Sequence, residues 1–210
     1  MVMRSLSSPP AAVLSQSSAI ARAVMLATLF AAMTALGAQA KVWLPGNPVP
    51  ITAQVFFVLL TGGLLGSRLG AFGMVEYLAL GTVGLPVFAA VQPGLAAWTG
   101  ASAGYLIGFV AAAWAIGRVC ERRGWRRQRT VLAAMGIGVL IIYAAGAAWL
   151  AVWLSVAAHL SLATALARAW TLGVVPFLPL DIIKALAAAE CVWLLARRAA
   201  QPGAQGGEAR

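Results

Sequence analysis

The chain has 210 residues, of which 62% are hydrophobic and only 10% are charged. Soluble domains carry about 25% charged residues, so the composition excludes an ordinary soluble enzyme and predicts a single helical membrane domain. The net charge of +10 does not indicate nucleic acid. The basic residues concentrate between apolar segments, as in cytoplasmic loops held at a membrane face.

The residue types that carry metal or nucleophilic chemistry are scarce. The two cysteines, Cys120 and Cys191, cannot form a disulfide framework, and no Cys/His spacing suggests a metal. His159 is the only histidine and stands in no nucleophile motif. We therefore expect no metal, no cofactor and no serine- or cysteine-based catalytic triad.

Residues 1–18 are rich in serine, proline and alanine and are predicted to form a flexible lead to a membrane domain over 19–198. The first apolar stretch, 19–40, ends in a sequence that imitates a signal-peptide cleavage site. It is long enough to cross a bilayer, and it repeats a small residue every fourth position, which a signal peptide does not need. We predict a retained first helix with a stripe of Ala23, Ala27, Ala31 and Ala35.

Three prolines and a glycine in residues 41–54 rule out a regular helix there. Apolar runs then predict a short second span over 55–67, a tight turn at 66–70 and a third span over 71–87. After a further loop, a fourth span is predicted over 101–117.

A basic run follows at 118–129, and the fifth span is predicted over 131–156. Residues 157–178 form a long, partly amphipathic connection to a sixth span over 180–196. Residues 199–210 are predicted to be a disordered tail.

The distribution of basic residues predicts the orientation of these six spans. With both termini in the cytoplasm, 12 of the 15 basic residues face inward, as the positive-inside rule requires. Lys41 and Arg168 fall outside, and Lys184 lies within a span. The sequence therefore predicts an all-α, six-helix bundle in the cytoplasmic membrane.

Asp181 and Lys184 are the most informative residues of the chain, because both lie within the sixth predicted span. Their i,i+3 spacing puts them on one helical face. A charge inside a bilayer is costly unless it is paired or faces a polar cavity, so the pair indicates a functional site. The alternative is an ion pair that only fastens this helix to a neighbour. With the orientation above, the pair lies in the outer half of the membrane.

Five segments, taken together and in this order, resemble the BioY family, the biotin-binding S components of energy-coupling factor (ECF) transporters. They are Ala27–Gln39, Gly46–Gly62, Gly81–Ala89, Thr99–Phe109 and Pro176–Ala185. The resemblance covers about residues 20–198. Two places differ from the family pattern: Gly100-Ala-Ser-Ala-Gly-Tyr105 replaces Gly-Pro-Thr-Gly-Gly-Tyr, and Pro179-Leu-Asp181 replaces Pro-Gly-Asp.

The resemblance implies a six-helix bundle that binds biotin near its outer face. Asp181 could accept from a ureido N–H, and Lys184 could donate to the ureido carbonyl or neutralise the carboxylate of biotin. Tyr105, after a glycine-rich approach, is either a site residue or an interfacial tyrosine, and the resemblance favours the site. Thr52 and Gln54 either cap the site or satisfy its backbone.

The resemblance also implies partners, namely a transmembrane coupling subunit and ATPase subunits. By that likeness the coupling subunit docks on the small-residue face of the first helix, at Ala27 and Ala31. Whether the protein acts alone or as a homo-oligomer stays open. Rival hypotheses are an S component for another vitamin, a small channel, and an intramembrane enzyme that uses Asp181 with Glu76 or Glu190.

Overall fold

The computed structural model of the protein describes residues 11–89 and 94–199. This part of the chain is mostly helical. Its helices are α1 (Ala11–Gln39), α2 (Gln54–Thr82), α3 (Ala103–Arg123), α4 (Gln128–Ala157), α5 (Leu162–Gly173) and α6 (Leu178–Ala199), with a 3-10 turn at Gly94–Thr99. Between α1 and α2, β1 (Lys41–Val42) and β2 (Ile51–Thr52) form a short antiparallel pair that the sequence did not predict.

Among these described residues, α1 to α4 are long and apolar enough to cross a membrane. Helices α5 and α6 are bent by 54° at a short break and together make a fifth candidate span. The predicted helical membrane fold is thus present, with four or five candidate spans by length and composition. Large apolar side chains such as Leu140, 68% exposed, cover the outside of the bundle, a surface that soluble proteins rarely present.

Helix α2 reverses direction at Gly66, where φ is +80° and ψ is −177°. The amide of Gln54 donates to the hydroxyl of Tyr77 over 2.5 Å. In a straight helix, residues 23 positions apart would be separated by about 35 Å. The element therefore folds back into two arms, 54–65 and 67–82, with the reversal inside the predicted turn at 66–70.

Glu121 of α3 holds this turn in place. Its carboxylate accepts from the backbone N–H of Ser67 at 2.7 Å and from the Ser67 hydroxyl at 2.8 Å. A side chain at Gly66 would meet the same carboxylate at 2.8 Å. The positive φ and this close approach both favour glycine at the reversal.

Several predicted boundaries were wrong by a few residues. Helix α1 begins at Ala11 rather than at Ala19, so 11–18 are helical and not a flexible lead. Helix α3 continues to Arg123 and includes half of the basic run, and α5 occupies much of the predicted connection 157–178. The rest of the predicted lead and nearly all of the predicted tail lie outside the described residues.

The alanine stripe of α1 faces the inside of the bundle. Ala27 and Ala31 are both 0% exposed, and a Cβ added at Gly73 of α2 would lie 3.2 Å from the carbonyl oxygen of Ala27. Small residues here let α1 and α2 approach closely. That a partner docks at Ala27 and Ala31 stays a prediction; in this structure their side chains are covered by the chain itself.

Candidate functional site

A cavity of about 320 Å³ lies at the end of the bundle opposite the Gly66 reversal. Small-molecule sites commonly enclose about 300–1,000 Å³. Its wall is built from the loop before α2, the segment before α3, and the facing parts of α3, α4 and α6. It is lined by all five residues that the sequence singled out for ligand binding, which are Thr52, Gln54, Tyr105, Asp181 and Lys184.

Asp181 and Lys184 form a buried ion pair in this wall. The Lys184 ammonium lies 2.7 Å from one carboxylate oxygen of Asp181, and the Asp181 side chain is only 2% exposed. The other carboxylate oxygen accepts from the hydroxyl of Tyr143 at 2.8 Å. A buried carboxylate with both a cation and a hydroxyl donor is well compensated for the loss of water.

Lys184 also joins α6 to the loop before α2. Its ammonium donates to the backbone carbonyl of Thr52 over 2.6 Å. With Asp181 as its other acceptor, Lys184 uses two of the three donors of an ammonium group. One N–H therefore remains for a molecule inside the cavity.

Thr52 and Gln54 belong to a hydrogen-bonded chain. The Thr52 hydroxyl donates to the side-chain oxygen of Gln54 at 3.1 Å, and Gln54 donates to Tyr77. Tyr77 in turn donates to the carbonyl of Val87 at 3.1 Å. The Thr52 hydroxyl also accepts from the backbone N–H of Gln54 at 3.3 Å. Both residues line the cavity as well, so the choice between capping the site and satisfying its backbone stays open.

Tyr105 presents its ring to the cavity while its hydroxyl is engaged elsewhere. The hydroxyl donates to the carbonyl of Gly173 at 2.8 Å, where α5 ends. The ring fits against Gly146 of α4, because a Cβ at that glycine would lie 2.2 Å from the ring. Phe177 lies beside it, with ring centroids 6.4 Å apart. The aromatic face, rather than the hydroxyl, is what Tyr105 offers to a ligand.

Sequence reasoning missed Tyr143 and the aromatic lining of the cavity. Tyr143 is 38 residues from Asp181 along the chain, and its only signal was a hydroxyl within an apolar span. Trp43, Phe88 and Trp153 also line the cavity. Aromatic residues are common at membrane interfaces, so their presence alone did not single them out.

Four other charged side chains that the sequence analysis named are absent from the lining of this cavity. Lys41 donates at 3.0 Å to the carbonyl of Ala89, a residue of the cavity wall, and Arg168 is exposed on α5. Glu76 accepts from Thr28 at 2.7 Å, and Glu190 accepts from Gln128 at 3.0 Å. None of the four lines the cavity, so Asp181 is the one carboxylate in its wall among the described residues.

Of the two departures from the family pattern, one lies in the cavity wall and the other does not. Ala101 and Ser102 are part of its lining, so the changes in that segment alter the surface that a ligand meets. Leu180 is 45% exposed and is absent from the lining. The second departure therefore leaves the cavity wall unchanged.

Comparison with known proteins gives one consistent result. The model of the BioY family matches residues 7–201. A probable biotin transporter BioY of Pyrococcus horikoshii is 40% identical over 168 residues, covering 80% of this chain and 92% of that protein. The biotin transporter BioY of Thermotoga maritima is 35% identical over the same shares of the two chains.

The fold is also similar to a solved structure. A crystal structure of the S component for biotin from an ECF-type ABC transporter superposes with a TM-score of 0.70 at 26% identity. The match covers 86% of this chain and 93% of the other. Sequence and fold comparisons thus agree along nearly the whole molecule.

Proposed function

The chain belongs to the BioY family, and we propose that it is the membrane-embedded S component of an ECF-type transporter, which captures biotin for uptake. The observation that carries this proposal is the cavity wall of Asp181, Lys184 and Tyr143. A polar cluster within a mainly aromatic and aliphatic cavity suits a ligand with one strongly hydrogen-bonding end and an apolar body.

The ureido ring is the end of biotin that suits this cluster. It has two N–H donors and one carbonyl acceptor and carries no charge. Asp181 and Lys184 lie 2.7 Å apart and together have no net charge, so they would not attract a carboxylate as an unpaired lysine would. Asp181 retains lone pairs for an N–H, and Lys184 retains one donor for the carbonyl.

The remainder of biotin then contacts the apolar lining. Its thiophane ring and aliphatic tail suit the surfaces of Tyr105, Trp153 and Phe177. The carboxylate, at the far end of the tail, points toward the loops that border the opening, where water can solvate it. Burying it would be costly without a cation, and no second lysine or arginine lines the described cavity.

We propose six membrane crossings with both termini in the cytoplasm of the cell. The two arms of α2 count separately because the chain reverses at Gly66, which adds one crossing to the five candidates. The cavity then opens outward, and the basic loop between α3 and α4 faces the cytoplasm.

Cysteine labelling in intact cells tests this topology. The exposed Cys191 and buried Cys120 are first replaced by serine and alanine, and single cysteines are introduced as Pro45→Cys and Arg129→Cys. An impermeant maleimide should label the first from outside and the second only after the cells are opened. The opposite pattern would reverse the proposed orientation and leave the biotin proposal intact.

The energy for uptake is proposed to come from partner subunits. The sequence has no Gly-x-x-x-x-Gly-Lys-[Ser/Thr] motif for ATP phosphates. A transmembrane coupling subunit and ATPase subunits are the partners expected of an S component. Oligomeric state is a separate question, which light scattering of the purified protein addresses.

An intramembrane enzyme would need a second acid close to Asp181, and neither candidate lies there. Glu76 and Glu190 make hydrogen bonds elsewhere and do not face Asp181 across the cavity. The BioY relatives are named as transporters. Both observations favour capture of an unchanged ligand over catalysis.

Binding to the purified protein in detergent is the decisive experiment. Biotin should bind saturably, whereas thiamine and riboflavin should not. Biotin methyl ester, which lacks the charge of the carboxylate, should bind nearly as well as biotin. An analogue with a charged guanidinium in place of the ureido group should bind much more weakly. Preferential binding of another vitamin would overturn the assignment of biotin.

A further inference from the structure

A second groove lies at the opposite, basic end of the bundle and plays no part in the proposed capture of biotin. It encloses about 660 Å³ between the first arm of α2, the end of α6 and the loop joining α3 to α4. Its floor is apolar and includes Leu64, Val192 and Leu195. Its rim carries three arginines, which are Arg123, Arg126 and Arg127.

The loop that presents these arginines is fastened on both sides of the groove. The indole N–H of Trp125 donates to the carbonyl of Gly63 on α2 at 2.6 Å. The indole N–H of Trp193 on α6 donates to the backbone carbonyl of Arg126 at 3.1 Å. The rim is therefore a built structure rather than a cluster of long side chains on a free loop.

Two of the three rim arginines, Arg123 and Arg127, are not balanced by acids of the described residues. Glu121 accepts from Ser67 and lies 3.7 Å from Arg118, and Glu190 accepts from Gln128. Neither Arg123 nor Arg127 forms a salt bridge with a carboxylate of the described residues. An anion could therefore pair with these two arginines.

We propose that this groove binds an anionic phospholipid, with its phosphate at Arg123 and Arg127 and an acyl chain along Leu64 and Leu195. Arginine is well suited to phosphate because its planar fork can donate two parallel hydrogen bonds. Free phosphate would satisfy the rim but leave the apolar floor uncovered, whereas a lipid fits both. The proposal depends on this end of the bundle lying at a membrane face, and it does not depend on the identity of the transported vitamin.

Native mass spectrometry of the full-length protein in detergent tests the proposal by measuring lipid binding. Phosphatidylglycerol is the anionic probe, and phosphatidylcholine, which is zwitterionic with no net charge, is the comparison lipid. The double variant R123Q/R127Q should bind phosphatidylglycerol at least about tenfold more weakly, because glutamine cannot form the charged, two-pronged hydrogen bonds that arginine forms with phosphate. The matched control R122Q/R129Q removes the same charge from neighbouring exposed arginines outside the groove and should bind as the parent does.

A third variant tests the apolar half of the groove. Leu195 is 50% exposed, so Leu195→Trp should fold, and its larger ring should displace the acyl chain while the arginines stay in place. It should also weaken binding of phosphatidylglycerol. Biotin binding, measured in parallel, should be unchanged in every variant and so reports folding at the opposite end.

Four results would overturn the proposal. Equal loss in the two double variants would show a diffuse charge effect, and equal affinity for phosphatidylcholine would remove the role of the anion. Full competition by inorganic phosphate, with no effect of Leu195→Trp, would assign the groove to a free anion. Unchanged lipid binding in R123Q/R127Q, with loss of assembly with partner subunits, would assign the groove to a protein.

Discussion

Conversion of Asp181 to asparagine separates a ligand-binding role from a purely structural one. Asp181→Asn keeps the shape of the side chain but removes the anion that Lys184 and Tyr143 contact at 2.7 and 2.8 Å. A hydrogen bond to a charged group contributes about 1.5–3 kcal/mol. At 1.4 kcal/mol per factor of ten, loss of one such bond to the ureido N–H weakens biotin binding about 10- to 150-fold.

The two members of the pair should differ in their effect on stability. Lys184→Met leaves the Asp181 carboxylate, 2% exposed, with Tyr143 as its remaining side-chain donor. A stranded buried charge typically costs about 3–5 kcal/mol. Asp181→Asn leaves an ammonium that is 18% exposed and keeps the carbonyl of Thr52 as acceptor, so its cost should be smaller. The double variant D181N/K184M carries no stranded charge and should regain much of the lost stability.

Thermal unfolding and equilibrium binding of biotin, both in the same detergent, measure the two effects. Glu190→Gln is the matched control, because it makes the same acid-to-amide change on α6 at an exposed position outside the cavity. It should leave biotin affinity unchanged. If D181N/K184M regained both stability and full affinity for biotin, the pair would be only a fastening between elements, and the proposed ureido site would be refuted.

Three further predictions concern the packing around the site. Ala27→Leu forces a larger side chain against α2, a change that typically costs about 1–3 kcal/mol, so the variant should be less stable to heat. Ala32→Leu, on the exposed face of α1, should leave thermal stability unchanged. Equal stability of the two variants would contradict the inward placement of the stripe. Tyr105→Phe loses only the hydrogen bond to Gly173 and should change biotin affinity by less than about threefold. Tyr105→Ala also removes the aromatic contact and should weaken binding at least about tenfold. Equal effects of the two variants in a biotin titration would mean that the hydroxyl matters more than the ring. Glu121→Ala removes the acceptor at the α2 reversal and should lower the melting temperature more than Glu121→Gln, which keeps an acceptor oxygen. Identical melting curves of the two variants would show that the turn does not need this contact.

The sequence was sufficient for features that depend on neighbouring residues. The length and hydropathy of the apolar runs predicted the helices other than α5, because a bilayer requires about 20 apolar residues in a helical crossing. The turn at 66–70 was predicted by glycine and polar residues at the end of an apolar run, and the structure reverses there at Gly66. The i,i+3 spacing of Asp181 and Lys184 predicted a shared face, and the two side chains form a salt bridge.

Only the tertiary structure showed which face of each helix is inside. In a membrane protein the outer surface is as apolar as the core, so hydropathy does not mark the packed side as it does in a soluble amphipathic helix. The alanine stripe of α1 was therefore visible in the sequence, but its contact with α2 was not. Tyr143 likewise gave no local sign that it would meet Asp181, 38 residues away. The joining of α4, α6 and the loop before α2 around one polar cluster is a consequence of long-range packing, which no local pattern of residues determines.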